Sequence, residues 1–252
     1  MAVRSDGVLA PVLRGIEAVV CDTDGVITDS ASVHAAAWKT AFDAFLVEHP
    51  PEAPAQRRPF DSGDDYLRHV DGKSRLDGAA AFLASRGLDP TGQTVRAVAA
   101  DKESLFVERL REHGVDAYPG TVRLVRALRA AGVPVAAASA SRHARELLAG
   151  AGVLDLFEAL VDGGEAARLG LAGKPQPDLF LEAARRLGVP PARAAVVEDA
   201  LAGVEAGRRG GFALVVGVDR TAGADTRDRL LRHGADIVVH DLGELLDGGV
   251  RR

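Results

Sequence analysis

Cysteine occurs once in this 252-residue chain, at Cys21, so neither a disulfide framework nor a cysteine-ligated zinc site can be built. A lone thiol suits a reducing compartment. Placed in an apolar run, it reads as a buried strand residue rather than a nucleophile. Lysine is also scarce: Lys39, Lys73, Lys102 and Lys174 are the only four among 31 basic residues, which marks each as a candidate for a particular task. Aromatic residues make up 4 % against 47 % hydrophobic residues, so a core of mostly Ala, Val and Leu is expected. No run of about 18 apolar residues exists, which excludes a membrane-spanning helix of the usual length. The stretch from Met1 to Gly15 lacks the apolar segment of a signal peptide, and a cytoplasmic protein is expected. With a formal charge of −5 and no basic stripe, neither nucleic acid nor an anionic membrane surface is an expected partner. Finally, no strand-like run is followed by Gly-x-Gly-x-x-Gly, so a dinucleotide fold lacks its fingerprint.

What the chain does have is an abrupt transition near its start. An apolar run from Ile16 to Cys21 stops at Asp22-Thr23-Asp24-Gly25. Such a run, bounded by turn signals, reads as a buried strand of a parallel sheet. Asp22 then sits at the carboxyl end of that strand, where open α/β sheets place their ligands. Gly25 lets the backbone turn sharply and approach a ligand closely. Two carboxylates so close will not both stay ionised in isolation, so a cation or a proton belongs to the site.

Ser32 to His49 carries apolar residues at helical spacing, with Ser30 or Ser32 as candidate cap. A proline-rich loop follows at 50–59. Residues 64–70, 74–86 and 94–113 read as further helices, and no convincing strand lies between Asp29 and Val133. From Pro119 onward short apolar strands alternate with helices: strands at 133–139, 159–162, 194–197, 212–218 and 237–239, helices at 119–131, 141–149, 178–187, 203–209 and 224–233. That rhythm indicates βαβ units in a parallel sheet with helices on both faces. The expected fold is therefore α/β, a Rossmann-like core of residues 1–30 and 114–252 interrupted by an all-helical insertion, 31–113.

Three more strand or loop ends carry chemistry. Ser139, in Ala138-Ser139-Ala140-Ser141, precedes a helix and offers a hydroxyl and backbone N–H groups to an anion. Lys174 lies in Gly173-Lys174-Pro175, stiffened by flanking prolines. Glu198-Asp199 follows another buried strand and repeats the geometry of Asp22 and Asp24. Paired acids there are costly without a cation, and oxygen ligands point to a hard divalent ion, most simply Mg²⁺.

As a set, Asp-x-Asp-Gly, Ser, Lys and Glu-Asp in this order resemble the four motifs of the haloacid dehalogenase-like (HAD) superfamily, over essentially the whole chain. The helical insertion resembles that superfamily's cap. Asp29-Ser30, His34, Trp38, Gly72-Lys73-Ser74-Arg75 and Ala138-Ser139-Ala140-Ser141 are similar to its β-phosphoglucomutase branch. The resemblance implies that Asp22 is a nucleophile forming a phosphoaspartate and Asp24 a general acid/base, and that Mg²⁺ is held by Asp22, the Asp24 carbonyl, Glu198 and Asp199. It implies that Ser139, Ala140 and Lys174 hold the transferring phosphoryl group. Gly72, Arg75, Ser141, Arg142 and His143 would serve the substrate and its distal phosphate. His34 and Lys102 would couple cap closure to binding and Ser30 would be the hinge; Trp38, on the same helix face as His34, is a candidate substrate-side residue whose structural alternative is to pack the cap. Asp24 must alternately take and give a proton, so a raised pKa is expected for it in a closed site. Ser30 and Arg142-His143 depart from the branch's usual threonine and Lys-Asn.

The implied substrate is a small sugar phosphate and the implied state a monomer. Two other functions share these residue types: a sugar-phosphate phosphatase, with water as acceptor, and a non-catalytic phosphoacceptor resembling a signalling receiver. The interrupted sheet and the chain length weigh against the receiver.

Overall fold

A computed structural model describes residues 8–220 and 224–246. Six strands carry the architecture: β1 (Ala18–Cys21), β2 (Val135–Ala138), β3 (Ala159–Val161), β4 (Ala194–Glu198), β5 (Leu214–Val218) and β6 (Ile237–Val239). They lie in the order β3-β2-β1-β4-β5-β6, and every pairing is parallel. Helices among the described residues are α1 (Ala31–Glu48), α2 (Arg75–Ser85), α3 (Gly92–His113), α4 (Pro119–Ala130), α5 (Ala144–Gly150), α6 (Gly163–Leu169), α7 (Asp178–Leu187), α8 (Leu201–Arg209) and α9 (Ala224–His233). No described helix is long and apolar enough to cross a membrane.

Strand residues alternate between two buried clusters, because side chains switch faces with period two. Val19, Cys21, Val135, Ala137, Ala195 and Val197 meet Leu124, Leu128 and Leu148 from α4 and α5. Val20, Ala136, Ala138, Val196 and Val215 meet Phe180, Ala183, Val204 and Leu230 from α7, α8 and α9. Both faces are covered, which is why the strands read as unbroken apolar runs. Here the core is the Ala, Val and Leu core expected from composition.

The helices from α1 to α3 enclose a separate cluster of a different kind. Trp38, Phe42, Phe60 and Phe82 sit at its centre, with ring centroids of Phe42 4.0 Å from Phe82 and 4.7 Å from Trp38. The proline-rich loop delivers Phe60 to this cluster. Its backbone is pinned to α1, where Asp43 Oδ1 accepts from Phe60 N at 2.7 Å and Lys39 donates to Phe60 O at 2.9 Å. Where the chain leaves and re-enters the sheet, the two crossings are tied to each other. Asp29 N donates to Asp116 O, and Tyr118 O–H to Asp29 Oδ1, each at 2.9 Å.

All six strands lie where the sequence predicts them, and three local expectations differ. Residues 66–70 form one wide π-helical turn rather than an α-helix over 64–70. The helix predicted from 141 begins at Ala144, since Ser139 and Ser141 hydroxyls accept from the backbone N–H groups of Ser141 and His143 and hold an open loop. Helix α6 was not expected, because Gly163-Gly164 disfavours helix. Asp162 overrides that by accepting from Gly164 N and Glu165 N, both at 2.9 Å, and Gly170 closes the other end in the left-handed conformation.

Candidate active site

The connections from β1 and β4 leave in opposite directions along the sheet, and the crevice between their carboxyl ends is a topological switch point. Asp22 and Asp24 follow β1; Glu198 and Asp199 stand at the end of β4. Asp22, Glu198 and Asp199 each bring a carboxylate oxygen within 4.8 Å of the others. Two glycines make room for them. A Cβ on Gly25 would fall 1.8 Å from Asp199 Oδ2, and one on Gly203 would fall 1.6 Å from Glu198 Oε1.

Lys174 is buried against this cluster. Its ammonium donates to Asp22 Oδ1 and, at 2.8 Å, to Glu198 Oε1, with the Phe180 ring 4.7 Å below it. Burial opposes its charge, but the two carboxylates outweigh burial and hold the ammonium protonated well past its ordinary range. One cation for three acids is not enough. Burial, then Glu198, pushes the Asp22 carboxyl up despite Lys174, and burial with Asp71 and Glu198 does the same to Asp199. An oxygen-only donor set with surplus negative charge, in a cradle that only a glycine leaves open, fits a hard divalent cation. Cys21, next in the chain, is pushed up to about 12 by burial and by Asp22 and is inert at neutral pH.

Asp24 is held differently, and its carboxylate is not part of that cluster. Ser30 O–H donates to Asp24 Oδ1, and Ser139 Oγ lies 3.4 Å from Oδ2. His34 Nε2 stands 3.2 Å from Oδ1 and has no other hydrogen-bonding partner among the described residues. His34 Nδ1 lies 2.8 Å from Lys102 Nζ, so the ammonium donates to Nδ1 and the ring proton belongs on Nε2, facing Asp24. Burial raises the Asp24 pKa, but His34, Ser30 and Lys102 together hold it below the ordinary range. This corrects the expectation of a raised pKa: desolvation is present, and donors from the first turns of α1 overcome it. Ser30 is the N-terminal flanking residue of α1, yet its hydroxyl serves Asp24 and makes no cap bond.

A cleft of about 240 Å³ opens over these groups. Asp22, Asp24, His34, Trp38, Lys102 and Asp199 line it, together with Gly72, Arg75, Ala140, Ser141 and Arg142. Gly72 carries the helical insertion close to the sheet: a Cβ there would lie 2.8 Å from Ala200 Cβ. Trp38 is stacked on Phe42 in the aromatic cluster and is nearly fully buried, although it lines the cleft. Arg75 Nη1 is 3.5 Å from Glu103 Oε1, and His143 Nε2 is 2.9 Å from the same oxygen. His143 Nδ1 is in turn 2.8 Å from Glu146 Oε2. Both ring nitrogens of His143 therefore face carboxylates.

Tyr66, Asp71 and Glu103 are among the lining residues that the sequence pattern does not single out. Asp71 directly precedes Gly72, and burial with nearby Glu198 pushes its carboxyl up to about 7. The Asp-Gly pair was a visible turn signal, but nothing local showed that the turn meets the sheet. Glu103 sits in Ala100-Asp101-Lys102-Glu103, a charged helical run that reads as solvated.

An acid pair after β1, a buried lysine, a serine after β2 and an acid pair at β4 around one crevice define a phosphotransferase of the haloacid dehalogenase type. The chain belongs to the haloacid dehalogenase-like hydrolases, whose family profile matches residues 16–211, and within them to the β-phosphoglucomutase-like branch. A β-phosphoglucomutase of Mycobacterium bovis is 45 % identical over 240 residues, 92 % of each chain. A HAD family hydrolase of Deinococcus radiodurans, solved with bound phosphate and sodium, shares the fold with a TM-score of 0.63 at 32 % identity, over 92 % of this chain and 93 % of that one. A trehalose-phosphate phosphatase of Mycobacterium leprae is 40 % identical over 129 residues, 50 % of this chain and 28 % of that protein.

Proposed function

We propose that this enzyme is a Mg²⁺-dependent β-phosphoglucomutase, converting β-glucose 1-phosphate to glucose 6-phosphate through glucose 1,6-bisphosphate. One observation carries the reading: a single cleft joins an acid–lysine centre at Asp22 to a second set of cationic and polar groups at Arg75, Ser141 and Arg142. A mutase must hold two phosphates at once, and one cleft that offers a second set of groups for an anion besides those at Asp22 suits that demand.

In this reading Asp22, phosphorylated, gives its phosphoryl group to the sugar 6-hydroxyl while Asp24 takes the hydroxyl proton. The bisphosphate then turns round. Asp22 attacks the C1 phosphoryl group, the P–O1 bond breaks, and Asp24 returns its proton to O1. An Asp24 carboxyl held below the ordinary range by His34, Ser30 and Lys102 suits the first of these steps, in which it enters as the base. Lys174 and Ser139, with the backbone at Ala140, hold the phosphoryl oxygens, and positioning of this kind is most of what phosphoryl transfer requires. Asp22, Asp199, Glu198 and the Asp24 carbonyl would hold Mg²⁺, which when bound neutralises charge on the transferring phosphoryl group. Residues 31–113 act as the cap, swinging about Ser30, with His34 and Lys102 reporting closure to Asp24.

A sugar-phosphate phosphatase is the second reading, and Glu103 favours it: a carboxylate already faces Arg75 and His143 where the distal phosphate would go. The two are separated by following glucose 6-phosphate and free phosphate together, with β-glucose 1-phosphate as substrate and the bisphosphate supplied. Isomer formed faster than phosphate supports the mutase. Phosphate released faster than isomer overturns it in favour of the phosphatase.

A further inference from the structure

Glu103 lies on α3, whereas His143 belongs to the loop after β2 and Arg75 to the start of α2. Its Oε1 accepts from His143 Nε2 at 2.9 Å and stands 3.5 Å from Arg75 Nη1. All three side chains are largely covered, at 22 % exposed for Glu103, 28 % for Arg75 and 19 % for His143. A guanidinium and an imidazole this sheltered are poorly solvated, and a carboxylate beside them offsets that loss. The pair also fastens the helical insertion to the sheet, since Glu103 belongs to α3 and His143 to the loop after β2.

Two groups assigned above to the distal phosphate are therefore engaged by an anion of the protein itself. A second phosphate cannot reach Arg75 and His143 while Glu103 remains there, because like charges would be forced together. We infer that Glu103 is a specificity-determining residue: it fills the distal anion site as a stand-in and yields only to a dianionic second phosphate. The consequence is loose binding of the bisphosphate, which suits an intermediate that has to come free and turn between half-reactions. A ligand with a single phosphate, placed over Asp22, leaves Glu103 undisturbed. His143, Lys102 and Arg75 hold the Glu103 carboxyl down, at about 2 despite burial, so the stand-in is charged throughout the working pH range. The inference rests on the mutase reading of the distal site, and the test separates the two.

The test is calorimetric titration with glucose 1,6-bisphosphate in the presence of Mg²⁺, in an Asp22→Asn background that prevents turnover. Adding Glu103→Gln is expected to lower Kd about fivefold, the worth of releasing one partly exposed ion pair. Adding Glu103→Ala, which cannot keep the hydrogen bond to His143, must lower it as well. Adding Arg75→Ala must raise Kd. A carboxylate that merely braced Arg75 and His143 would give the opposite sign on removal, so weaker or unchanged binding in both Glu103 variants overturns the inference while leaving the distal site standing. No effect of Arg75→Ala removes the distal site itself, and the inference with it. Circular dichroism melting of each variant verifies that folded protein is compared.

Discussion

A Cβ on Gly25 would stand 1.8 Å from Asp199 Oδ2, so Asp199 occupies the space that the missing side chain leaves. Gly25 also has φ +80°, a conformation that L side chains rarely adopt. Gly25→Ala is expected to destabilise the fold by about 1–3 kcal/mol through backbone strain. Displacing Asp199 should also cut turnover by about 10², as misplacing a catalytic group by an ångström does. The diagnostic measurement is the rise in Tm on adding Mg²⁺, which should disappear in the variant. A wild-type rise would show that Asp199 does not need this space.

The buried trio of Lys174, Asp22 and Glu198 yields a contrast between two variants that should both be inactive. Lys174→Met strips the cation bonded to two buried carboxylates, Asp22 and Glu198. Leaving such charges unpaired typically costs about 3–5 kcal/mol. Asp22→Asn instead keeps the Lys174–Glu198 bond and removes a like-charge neighbour, so its stability should lie within about 1 kcal/mol of wild type. Urea denaturation in the presence of a chelator measures both. Equal stability of the two variants would mean that Lys174 does not hold the acids in place. Covalent phosphate labelling should be absent from Asp22→Asn, and its retention there would exclude Asp22 as nucleophile.

The parts of this molecule that are local in sequence were legible in it. Each strand is a short apolar run with both faces covered, and the acids sit directly after β1 and at the end of β4, so pattern and position sufficed. The helix at 163–169 was hidden because Gly-Gly argues against it, while the Asp162 cap that rescues it acts through two backbone bonds. Glu103 and Asp71 were hidden for another reason. Their meaning depends on the helical insertion lying across the sheet, and no residue near either one encodes which surface it meets. Burial alone argues for a raised Asp24 pKa, and the donors Ser30 and His34, six and ten residues on, reverse it through a fold that the local sequence does not show.

The acid cluster should make activity strictly dependent on a divalent ion. Chelation is expected to abolish turnover, with Mg²⁺ restoring it and Ca²⁺ restoring little, since its longer bonds and loose geometry fit phosphoryl transfer badly. Mg²⁺ at about 100 times its Kd should also stabilise the fold by about 2.7 kcal/mol, seen as a higher Tm without substrate. Full activity in excess chelator would remove Asp22, Glu198 and Asp199 as a cation site.

Lys102 sets an alkaline limit on activity. It is 3 % exposed, its Nζ 2.8 Å from His34 Nδ1 and 4.5 Å from the Phe106 ring centroid. Burial pushes its pKa down to about 8, although Glu103 and Asp24 favour the charge. Below that pH the ammonium keeps the His34 proton on Nε2, toward Asp24. Above it the charge is lost, and kcat/KM should fall about tenfold per pH unit. Lys102→Arg, charged throughout, should move this limb upward, and Lys102→Met should give a low, flat profile. Stability runs the other way. Between about 8 and 10.5 the unfolded chain still binds the proton that the folded chain has released, so wild type gains stability relative to Lys102→Met as pH rises through that window. Activity falling while relative stability climbs cannot be unfolding. A kcat/KM profile flat to pH 10 in wild type, or a limb that Lys102→Arg leaves in place, would assign the alkaline behaviour to some other group.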